Sequence, residues 1–394
     1  MKKAAVFITL FFLSQFLYAQ WYYTSVQVST NSIAFVNNTT GFCSTGFAIF
    51  KTTDGGTTWT AVAGFAMDSI ITCLSFPAET IGYATGLSGN LLKTTDGGAT
   101  WNPLNCGTTK DLRQVFFTDV NTGYIAGDEH SMFKTTDGGV TWQTLNSPVE
   151  TTFSLFFISN TKGFLAGNTS TLYRTEDGGL TWTGTQLSNS NDYMGVYFAD
   201  PLTGYAAGQE NALVPCMAKT TDGGLTWTEI PVTVGSGLNT VFFLNDNVGY
   251  AGGYSGTIIK TTDGGLTWGK QTTPNLGPIH AICFIDSDHG FAGGAGLLKT
   301  DNGGGSLGIL ETATSEPAWI YPNPAIDLVT ISTGKDPENG SLTVFNIKGQ
   351  KIAYKAMTIF PSRLDVAGWP SGNYFIRINA GNKLYTGKFM KQNP

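Results

Sequence analysis

The sequence predicts an all-β protein made of repeated four-stranded units followed by a small β-domain. The phrase KTTDGGTTW, at residues 51–59, returns five times with small changes. Glycine is abundant, with 50 copies in 394 residues, and only 13% of the residues are charged, about half the usual share. After residue 317, apolar and polar residues alternate between turns rich in Gly, Pro and Asn. All three observations favour strands over helices.

The first 19 residues have the features of a signal peptide. Lys2 and Lys3 form a basic start, residues 4–16 form an apolar core, and Ala19 is a small residue before the predicted cleavage site. The apolar run is too short for a stable membrane span, and no later stretch approaches the roughly 20 apolar residues that a span needs. We therefore expect an exported chain that begins near Gln20 and has no membrane span.

The repeat has a period near 40 residues. Six copies keep an aspartate and a tryptophan, and a seventh copy, KTDNGG, has Asn302 in place of the aspartate. A period of this length, with four short strands per unit, is typical of a β-propeller. The repeated residues are Asp54, Asp96, Asp137, Asp177, Asp222 and Asp263, with Trp59, Trp101, Trp142, Trp182, Trp227 and Trp268.

Seven such units predict a seven-bladed β-propeller with Asp-box hairpins over residues 20–310. The seventh unit lacks the strand that should follow its turn and continues as GGGSLGIL. The mature chain, in contrast, opens with an additional tryptophan in QWYYTSVQV. We expect residues 21–28 to supply the missing fourth strand of the last blade. This pairing would join the two ends of the ring and leave no exposed sheet edge.

The repeated phrase predicts a structural turn rather than a catalytic site. In the first copy, Asp54 can accept hydrogen bonds from turn amides, and Trp59 can pack its apolar face between neighbouring blades. Six of the nine tryptophans lie in this phrase, which favours a packing role. An enzyme seldom needs its nucleophile six times. We therefore expect none of the repeated aspartates to be catalytic.

Candidate ligand-binding residues lie where the units differ. In an antiparallel four-stranded blade the first and third turns share one face, and these turns barely change from unit to unit. The opposite face, which we call the variable face, carries a loop at 128–130, an insertion at 209–217 and the loops between blades. The candidate contact residues are Lys110, Asp111, Arg113, Asp128, Glu129, His130, Asp192, Tyr193, Gln209, Glu210 and Tyr254.

We predict no cofactor and no metal site. The histidines His130, His280 and His289 show no paired ligand spacing, and no phosphate-binding loop or nucleophile elbow occurs. Residues 20–310 contain 11 basic and 22 acidic residues, and this net charge of −11 argues against nucleic-acid binding. The five cysteines lack CxxC spacing, so most are expected to be buried, with Cys106 and Cys216 in loops.

The repeat resembles Asp-box (BNR-type) propellers, and F-x-D-x-x-x-G-Y followed by KTTDGGxTW is similar to photosystem II assembly factor-like and sortilin-type repeats. The resemblance implies a propeller over about residues 21–304 and leaves the activity open, because such propellers include assembly factors, receptors, sialidases and xyloglucanases. Sialidases of this kind use three arginines, whereas this propeller has Arg113 and Arg174. Xyloglucanase-type enzymes use two propellers. Both differences argue against an enzyme.

The C-terminal segment, residues 318–394, follows a predicted linker at 311–317. It resembles the type A sorting domain of the type IX (Por) secretion system of Bacteroidota. The matching residues are Pro322, Asn323, Pro324, Gly349, Gly372, Tyr374, Gly387 and Lys388. Its strand pattern alone predicts a small Ig-like β-sandwich. The resemblance implies export to the cell surface or the medium, with the type IX machinery as a partner.

These observations lead us to expect a binding module that acts at the cell surface. Its predicted ligand is a glycan or an envelope protein, bound through the variable face. Two alternatives remain open. A polysaccharide-acting glycoside hydrolase would need two carboxylates about 5–10 Å apart, and a protein-assembly scaffold would need a flat, aromatic-rich patch.

Overall fold

A computed structural model describes residues 21–62, 70–187, 191–210, 214–233, 235–274, 277–305, 316–333, 340–346, 351–357, 361–380 and 383–392. The chain divides into two compact units, one ending at Leu307 and the other beginning at Gly308. The predicted signal peptide lies outside the described residues, as do residues 311–315 of the predicted linker. None of the helical segments within the described ranges is long and apolar enough to cross a membrane.

The first unit consists of short antiparallel strands. In its described part they form seven four-stranded sheets, which we number 1 to 7 in chain order. Two short 3-10 turns, Leu87–Gly89 and Tyr254–Gly256, lie between strands. The strands are β1 (Tyr22–Tyr23); in sheet 1, β2 (Thr30–Phe35), β3 (Gly41–Thr45), β4 (Ile49–Thr52) and β5 (Thr60–Ala61); in sheet 2, β6 (Ile71–Ser75), β7 (Gly82–Gly86), β8 (Leu91–Thr94) and β9 (Asn102–Leu104); in sheet 3, β10 (Leu112–Phe117), β11 (Gly123–Gly127), β12 (Met132–Thr135) and β13 (Gln143–Thr144); in sheet 4, β14 (Thr152–Phe157), β15 (Gly163–Gly167), β16 (Thr171–Thr175) and β17 (Thr183–Gln186); in sheet 5, β18 (Asn191–Phe198), β19 (Gly204–Glu210), β20 (Val214–Thr220) and β21 (Thr228–Ile230); in sheet 6, β22 (Leu238–Phe243), β23 (Gly249–Gly253), β24 (Ile258–Thr261) and β25 (Gly269–Lys270); and in sheet 7, β26 (Ala281–Phe284), β27 (His289–Gly293) and β28 (Leu297–Asp301).

Sheets 1 to 6 are each formed by four consecutive strands, and sheet 3 is representative. Its first strand, β10, alternates, with Leu112, Val115 and Phe117 buried. Its second strand, β11 (GYIAG), is buried throughout because both faces of the sheet are covered by neighbouring sheets. The fourth strand, β13, is exposed and has two residues. Trp142, just before it, packs into the core between sheets 2 and 3.

Sheet 7 takes its fourth strand from the start of the described chain. Strand β1 pairs with β28, with Tyr22 opposite Lys299 and Tyr23 opposite Leu298. The regular pairing covers two residues rather than all of 21–28. Thr24 N nevertheless donates to Leu297 O, and Leu297 N donates to Val26 O, each at 2.9 Å. The N-terminal segment therefore runs along sheet 7 as a short strand and then a looser extension.

Neighbouring sheets pack face to face in chain order, and sheet 7 packs against sheet 1. Across that last junction, Phe35 stacks on Phe291 with 4.9 Å between the ring centroids. The prediction of an all-β propeller built from repeated four-stranded sheets is confirmed. Its core is divided into clusters, such as the one around Trp59 and Phe291, that each lie between two sheets.

Sheet 5 differs from the prediction. The insertion at 209–217 extends the β19–β20 hairpin, with Gln209 opposite Pro215 and Glu210 opposite Val214. Residues 191–193, predicted as a loop between blades, belong to β18 and pair with the same hairpin. Cys216, also predicted in a loop, lies within β20 and is half-buried. The extra residues can pair because three adjacent strands lengthen together, so their backbone groups find partners.

The described residues of the second unit form seven strands, which are joined in the order β32-β31-β34-β35-β29-β30-β33. Strand β29 changes partner along its length: residues 316–317 pair parallel with β35, and residues 318–321 pair antiparallel with β30. Buried residues such as Val344, Ile376 and Phe389 form its core. The strands are β29 (Glu316–Tyr321), β30 (Leu328–Thr333), β31 (Gly340–Asn346), β32 (Lys351–Met357), β33 (Ser362–Asp365), β34 (Gly372–Ala380) and β35 (Lys383–Lys391).

Candidate functional site

The two ends of the propeller have different roles. In sheet 3, Gly138 N of the Asp-box turn donates to Asn121 O of the first turn at 2.8 Å, so both turns lie at one end. The equivalent bond occurs in every one of the seven sheets. The donors are Gly55, Gly97, Gly138, Gly178, Gly223, Gly264 and Gly303. The loops of the variable face therefore lie at the opposite end, as the strand alternation requires.

The Asp-box carboxylate is fully engaged in its own turn. Asp137 Oδ1 accepts bonds from Thr135 Oγ1 at 2.8 Å and Thr141 N at 2.9 Å, and Asp137 Oδ2 accepts from Thr141 Oγ1 at 2.6 Å. These bonds, led by that of the Thr141 hydroxyl, lower the pKa of Asp137 to about 2. The remaining five repeated aspartates make the same contacts. This geometry supports a structural role, because both carboxylate oxygens accept hydrogen bonds from the turn.

The same end holds neighbouring sheets together. Lys93 Nζ and Tyr83 Oη of sheet 2 both donate to Gly138 O of sheet 3, at 2.6 and 2.8 Å. Trp142 packs edge to face on Phe117, with 6.2 Å between ring centroids and 89° between ring planes. The Asp box of sheet 3 therefore joins two sheets.

A cavity of about 180 Å³ lies on the axis of the propeller, lined by the first strands of all seven sheets. Its polar side chains are used between sheets: Asn31 Nδ2 donates to Ile71 O at 2.8 Å, and Gln114 Nε2 donates to Phe153 O at 2.8 Å. His280 also lines it, and enclosure lowers the pKa of that imidazole. The cavity wall therefore serves mainly to connect the sheets.

At the opposite end, the structure brings together six of the candidate residues on sheet 3. Arg113 Nε and Nη2 donate to the two carboxylate oxygens of Asp128, at 2.5 and 2.9 Å. Lys110 Nζ lies 2.5 Å from Glu129 Oε2. Asp111 Oδ1 accepts a bond from Ser88 N at 2.8 Å. The result is a patch of paired opposite charges, which we call the sheet 3 patch.

The backbone of this patch is held in an unusual conformation. Glu129 and His130 have φ angles of +51° and +60°, in the left-handed region that glycine favours. The corresponding loops of sheets 2 and 6 have Ser-Gly at these positions. His130 N donates to Glu150 O at 3.0 Å, and His130 Nδ1 lies 3.2 Å from Ser147 O. An alignment of the repeats would have marked His130, because it stands where other units have glycine.

A second group of candidates lies on sheets 5 and 6, separated from the sheet 3 patch by sheet 4. Gln209 packs against Gly237, next to Tyr254, and Asp192 is exposed beside the extended hairpin. Burial, together with the nearby carboxylates of Glu229, Glu210 and Asp192, raises the pKa of Cys216 to about 12. This region is therefore negatively charged.

Tyr193 is not a surface residue. Its side chain is fully buried in the core between sheets 4 and 5, so the prediction that it contacts a ligand is wrong. It occupies the first-strand position just before a bulge, as Leu112 and Leu238 do in sheets 3 and 6. That position is buried because the bulge turns the residue into the sheet interface.

The described residues contain no group of three His, Cys, Asp or Glu side chains arranged to hold a metal ion. All five cysteines are free thiols, and Cys43 and Cys106 are buried. At the sheet 3 patch, Asp128 is paired with Arg113 and Glu129 with Lys110.

In the second unit, most of the predicted motif residues support the fold. Asn323, between Pro322 and Pro324, accepts a bond from Met390 N at 2.9 Å, and Tyr374 Oη donates to Pro370 O at 2.8 Å. A Cβ at Gly387 would lie 2.8 Å from Ala318 O, so β35 needs glycine there to pair with β29. Gly349 lies outside the described residues. Lys388, in contrast, is exposed.

Two family models match the chain. Photosynthesis system II assembly factor YCF48 matches residues 61–146, 99–191 and 142–235, and the secretion system C-terminal sorting domain matches residues 319–392. The resemblances predicted from the motifs are thereby confirmed. No curated protein matches the chain.

Solved structures similar to the chain are propellers. YCF48 bound to D1 peptide has 19% identity and a TM-score of 0.61, over 72% of this chain and 97% of that chain. PorZ is described as an essential surface component of the type IX secretion system of Porphyromonas gingivalis. It has 12% identity and a TM-score of 0.56, over 94% of this chain and 60% of that chain. The GH74 xyloglucanase from Xanthomonas campestris has 13% identity and a TM-score of 0.58, over 79% and 59%. At these identities the similarity shows the fold alone.

Proposed function

Since the chain carries repeats of the YCF48 assembly-factor type and a secretion sorting domain, we propose that it is an exported binding module that recognises a protein of the cell envelope. The sorting domain supports export through the type IX system. The propeller supports a binding or assembly role. The proposed contact surface is the variable face, with the sheet 3 patch at its centre.

The observation that carries this proposal is the strained loop at Glu129 and His130. Two successive non-glycine residues with positive φ cost about 1–3 kcal/mol each, and such strain is concentrated at functional sites. The loops of sheets 2 and 6 also have a positive φ at Ser88 and Ser255, but they avoid the second cost with glycine, as Gly89 does in sheet 2. The loop holds both side chains out into solvent, beside the ion pairs of Lys110 and Arg113. Charged groups of both signs on a rigid frame suit specific protein recognition.

Two further observations favour a protein over a glycan. The burial of Tyr193 removes one of the two aromatic rings that could stack on a sugar, and Tyr254 is only partly exposed. The similar structures include YCF48 bound to a peptide and PorZ, a bacterial surface component. By analogy of fold, a protein ligand suits this chain as well.

A glycoside hydrolase is the weaker candidate. It would need one carboxylic acid with a raised pKa and a second carboxylate across a cleft. The repeated aspartates have lowered pKa values, and the variable-face carboxylates Asp128 and Glu129 are paired with cations.

Crosslinking of the purified mature protein to intact bacterial cells would test the proposal. We expect saturable capture of an envelope protein that is lost in the Glu129→Ala/His130→Gly double variant. Val140→Ser, at an exposed residue of the Asp-box end, is the matched control and should bind as the wild type does. Capture that survives the double variant would overturn the site. Saturable binding to a glycan array, lost in the same variant, would replace the protein ligand with a glycan.

A further inference from the structure

The sorting domain exposes several large apolar side chains. Large side chains with at least two-fifths of their surface in solvent include Tyr354, Phe375 and Met390, at 59%, 45% and 42% exposed. All three lie on the outer face of the sheet formed by β32, β31, β34 and β35. Exposed apolar groups of this kind, close together on one surface, mark interaction sites.

Strand register places these side chains next to two cations. Phe375 on β34 is opposite Phe345 on β31 and Lys388 on β35. In the adjacent row, Arg377 is opposite Thr343, which is itself opposite Tyr354. Directly opposite residues on one face have Cβ atoms about 5 Å apart, so these groups form one continuous surface. We call it the basic-aromatic face.

The charge on this face has one sign. Arg377 and Lys388 are exposed, and the described residues that point outward from these four strands include no Asp or Glu. The second unit as a whole is basic: from residue 318 onward it contains nine Lys and Arg residues and four Asp and Glu residues. The propeller, in contrast, has twice as many acidic as basic residues. The tail is therefore basic, whereas the propeller is acidic.

We propose that the basic-aromatic face is the surface by which the export machinery recognises this tail, and that its partner is a protein with an acidic rim around an apolar docking surface. The aromatic rings supply area that is removed from water on docking, and the cations orient the tail against the carboxylates of the partner. The predicted motif residues divide accordingly. Gly387 and Tyr374 maintain the fold, whereas Lys388 makes contact.

The part of the sheet formed by β29, β30 and β33 offers a matched control surface. Trp319 is 54% exposed on β29, and Arg363 is exposed on β33 at the far edge of the same outer face. This surface also has an aromatic ring and a cation. It carries the acidic side chain of Asp365 as well, opposite Leu328, so its charge is mixed. A test can therefore remove one aromatic ring and reverse one cation on each face.

The test is export of the full chain from cells with a type IX system. We expect Phe375→Ser/Lys388→Glu to lower the exported fraction about tenfold, with the protein retained in the periplasm, because hot-spot residues account for changes of this size. Trp319→Ser/Arg363→Glu should be exported as the wild type is. Unchanged export of the first variant, or equal retention of both, would overturn the proposal.

Three further measurements distinguish a loss of tail recognition from misfolding, from lipid binding and from a loss of binding by the propeller. Both double variants should have the melting temperature of the wild type. If Phe375→Ser/Lys388→Glu melts at a lower temperature, Lys388→Glu alone, at an exposed position, should still reduce export. Binding of the wild-type chain to anionic phospholipid vesicles that is lost in Lys388→Glu without an export defect would assign the face to lipid instead. Envelope-protein capture by the propeller should not change in any tail variant, so failure here is distinct from failure of the proposed function.

Discussion

Trp21 and Phe284 pack edge to face, with 5.8 Å between ring centroids and 88° between ring planes. The contact joins the first described residue to sheet 7, near the end of the propeller sequence. Trp21 also lies 6.4 Å from Tyr250 of sheet 6. Trp268 makes the equivalent contact with Phe243 of its own sheet. The N-terminal tryptophan therefore fills the Asp-box tryptophan position that the seventh repeat lacks.

Trp21→Ala should destabilise the propeller by about 3–5 kcal/mol, because it empties a fully buried aromatic site. Urea unfolding of the purified mature chain, followed by tryptophan fluorescence, measures the change. Trp319→Ala, at an exposed position, is the control and should change stability by about 0.5 kcal/mol or less. Equal effects of the two substitutions would show that the N-terminal segment does not close the ring.

Asp137→Ala should lower the melting temperature by a few degrees, because three hydrogen bonds that shape the turn lose their acceptor. Asn302→Ala is the matched comparison, since Asn302 accepts one comparable bond, from Thr300 Oγ1 at 2.9 Å. Calorimetry should show the smaller shift for Asn302→Ala. An unchanged melt for Asp137→Ala would refute the structural role of the Asp box.

The stability of the propeller should fall in strong acid. Asp54, Asp96, Asp137 and Asp177 have pKa values lowered from 3.8 to about 2 by turn hydrogen bonds, first those from threonine hydroxyls. A carboxylate with a depressed folded pKa adds stability above its unfolded pKa and loses it as the pH falls through the folded pKa. Melting temperatures should therefore be level down to about pH 4 and decline toward pH 2.

The pH profile has a built-in control. In Asp137→Asn the decline between pH 4 and pH 2 should be shallower, because one titrating group is gone. A decline centred near pH 6 would instead point to histidine titration, and a flat profile to pH 2 would contradict the lowered pKa values.

His130→Gly should stabilise the chain by up to about 1 kcal/mol, because glycine removes the cost of a positive φ angle but loses more conformational freedom on folding. The same variant should lose partner binding. Gly256→Ala is the reciprocal control: its φ is +66° in the equivalent loop of sheet 6, so alanine should destabilise by about 1–2 kcal/mol. Denaturant unfolding of both variants measures these changes in stability. A destabilised His130→Gly would mean that the loop is not strained.

Repetition explains why so much of the propeller was predictable. The Asp-box phrase reports a local turn, and its bonds, such as Thr141 N to Asp137, join residues a few positions apart. The period then sets four strands per unit, and the unmatched Trp21 identifies the segment that completes sheet 7. The tail could be recognised from the sequence because its turns, which include Pro322 and Gly372, are also local features.

The candidate site depended on contacts that the sequence does not encode locally. The pairing of Arg113 with Asp128 and the left-handed backbone of His130 arise from loops that meet across sheets. The prediction that Tyr193 contacts a ligand was wrong because a bulge in β18 turns its side chain into the core. The residue before the bulge is buried in six of the first strands.

The sequence by itself determined the repeat, the Asp-box turns and the tail, because these depend on short-range hydrogen bonding and periodic burial. The tertiary structure alone decided which side chains of the variable face meet and which outer face of the tail joins Phe375 to Lys388. Both outcomes depend on strand register, and a shift of one residue would point every side chain to the other face.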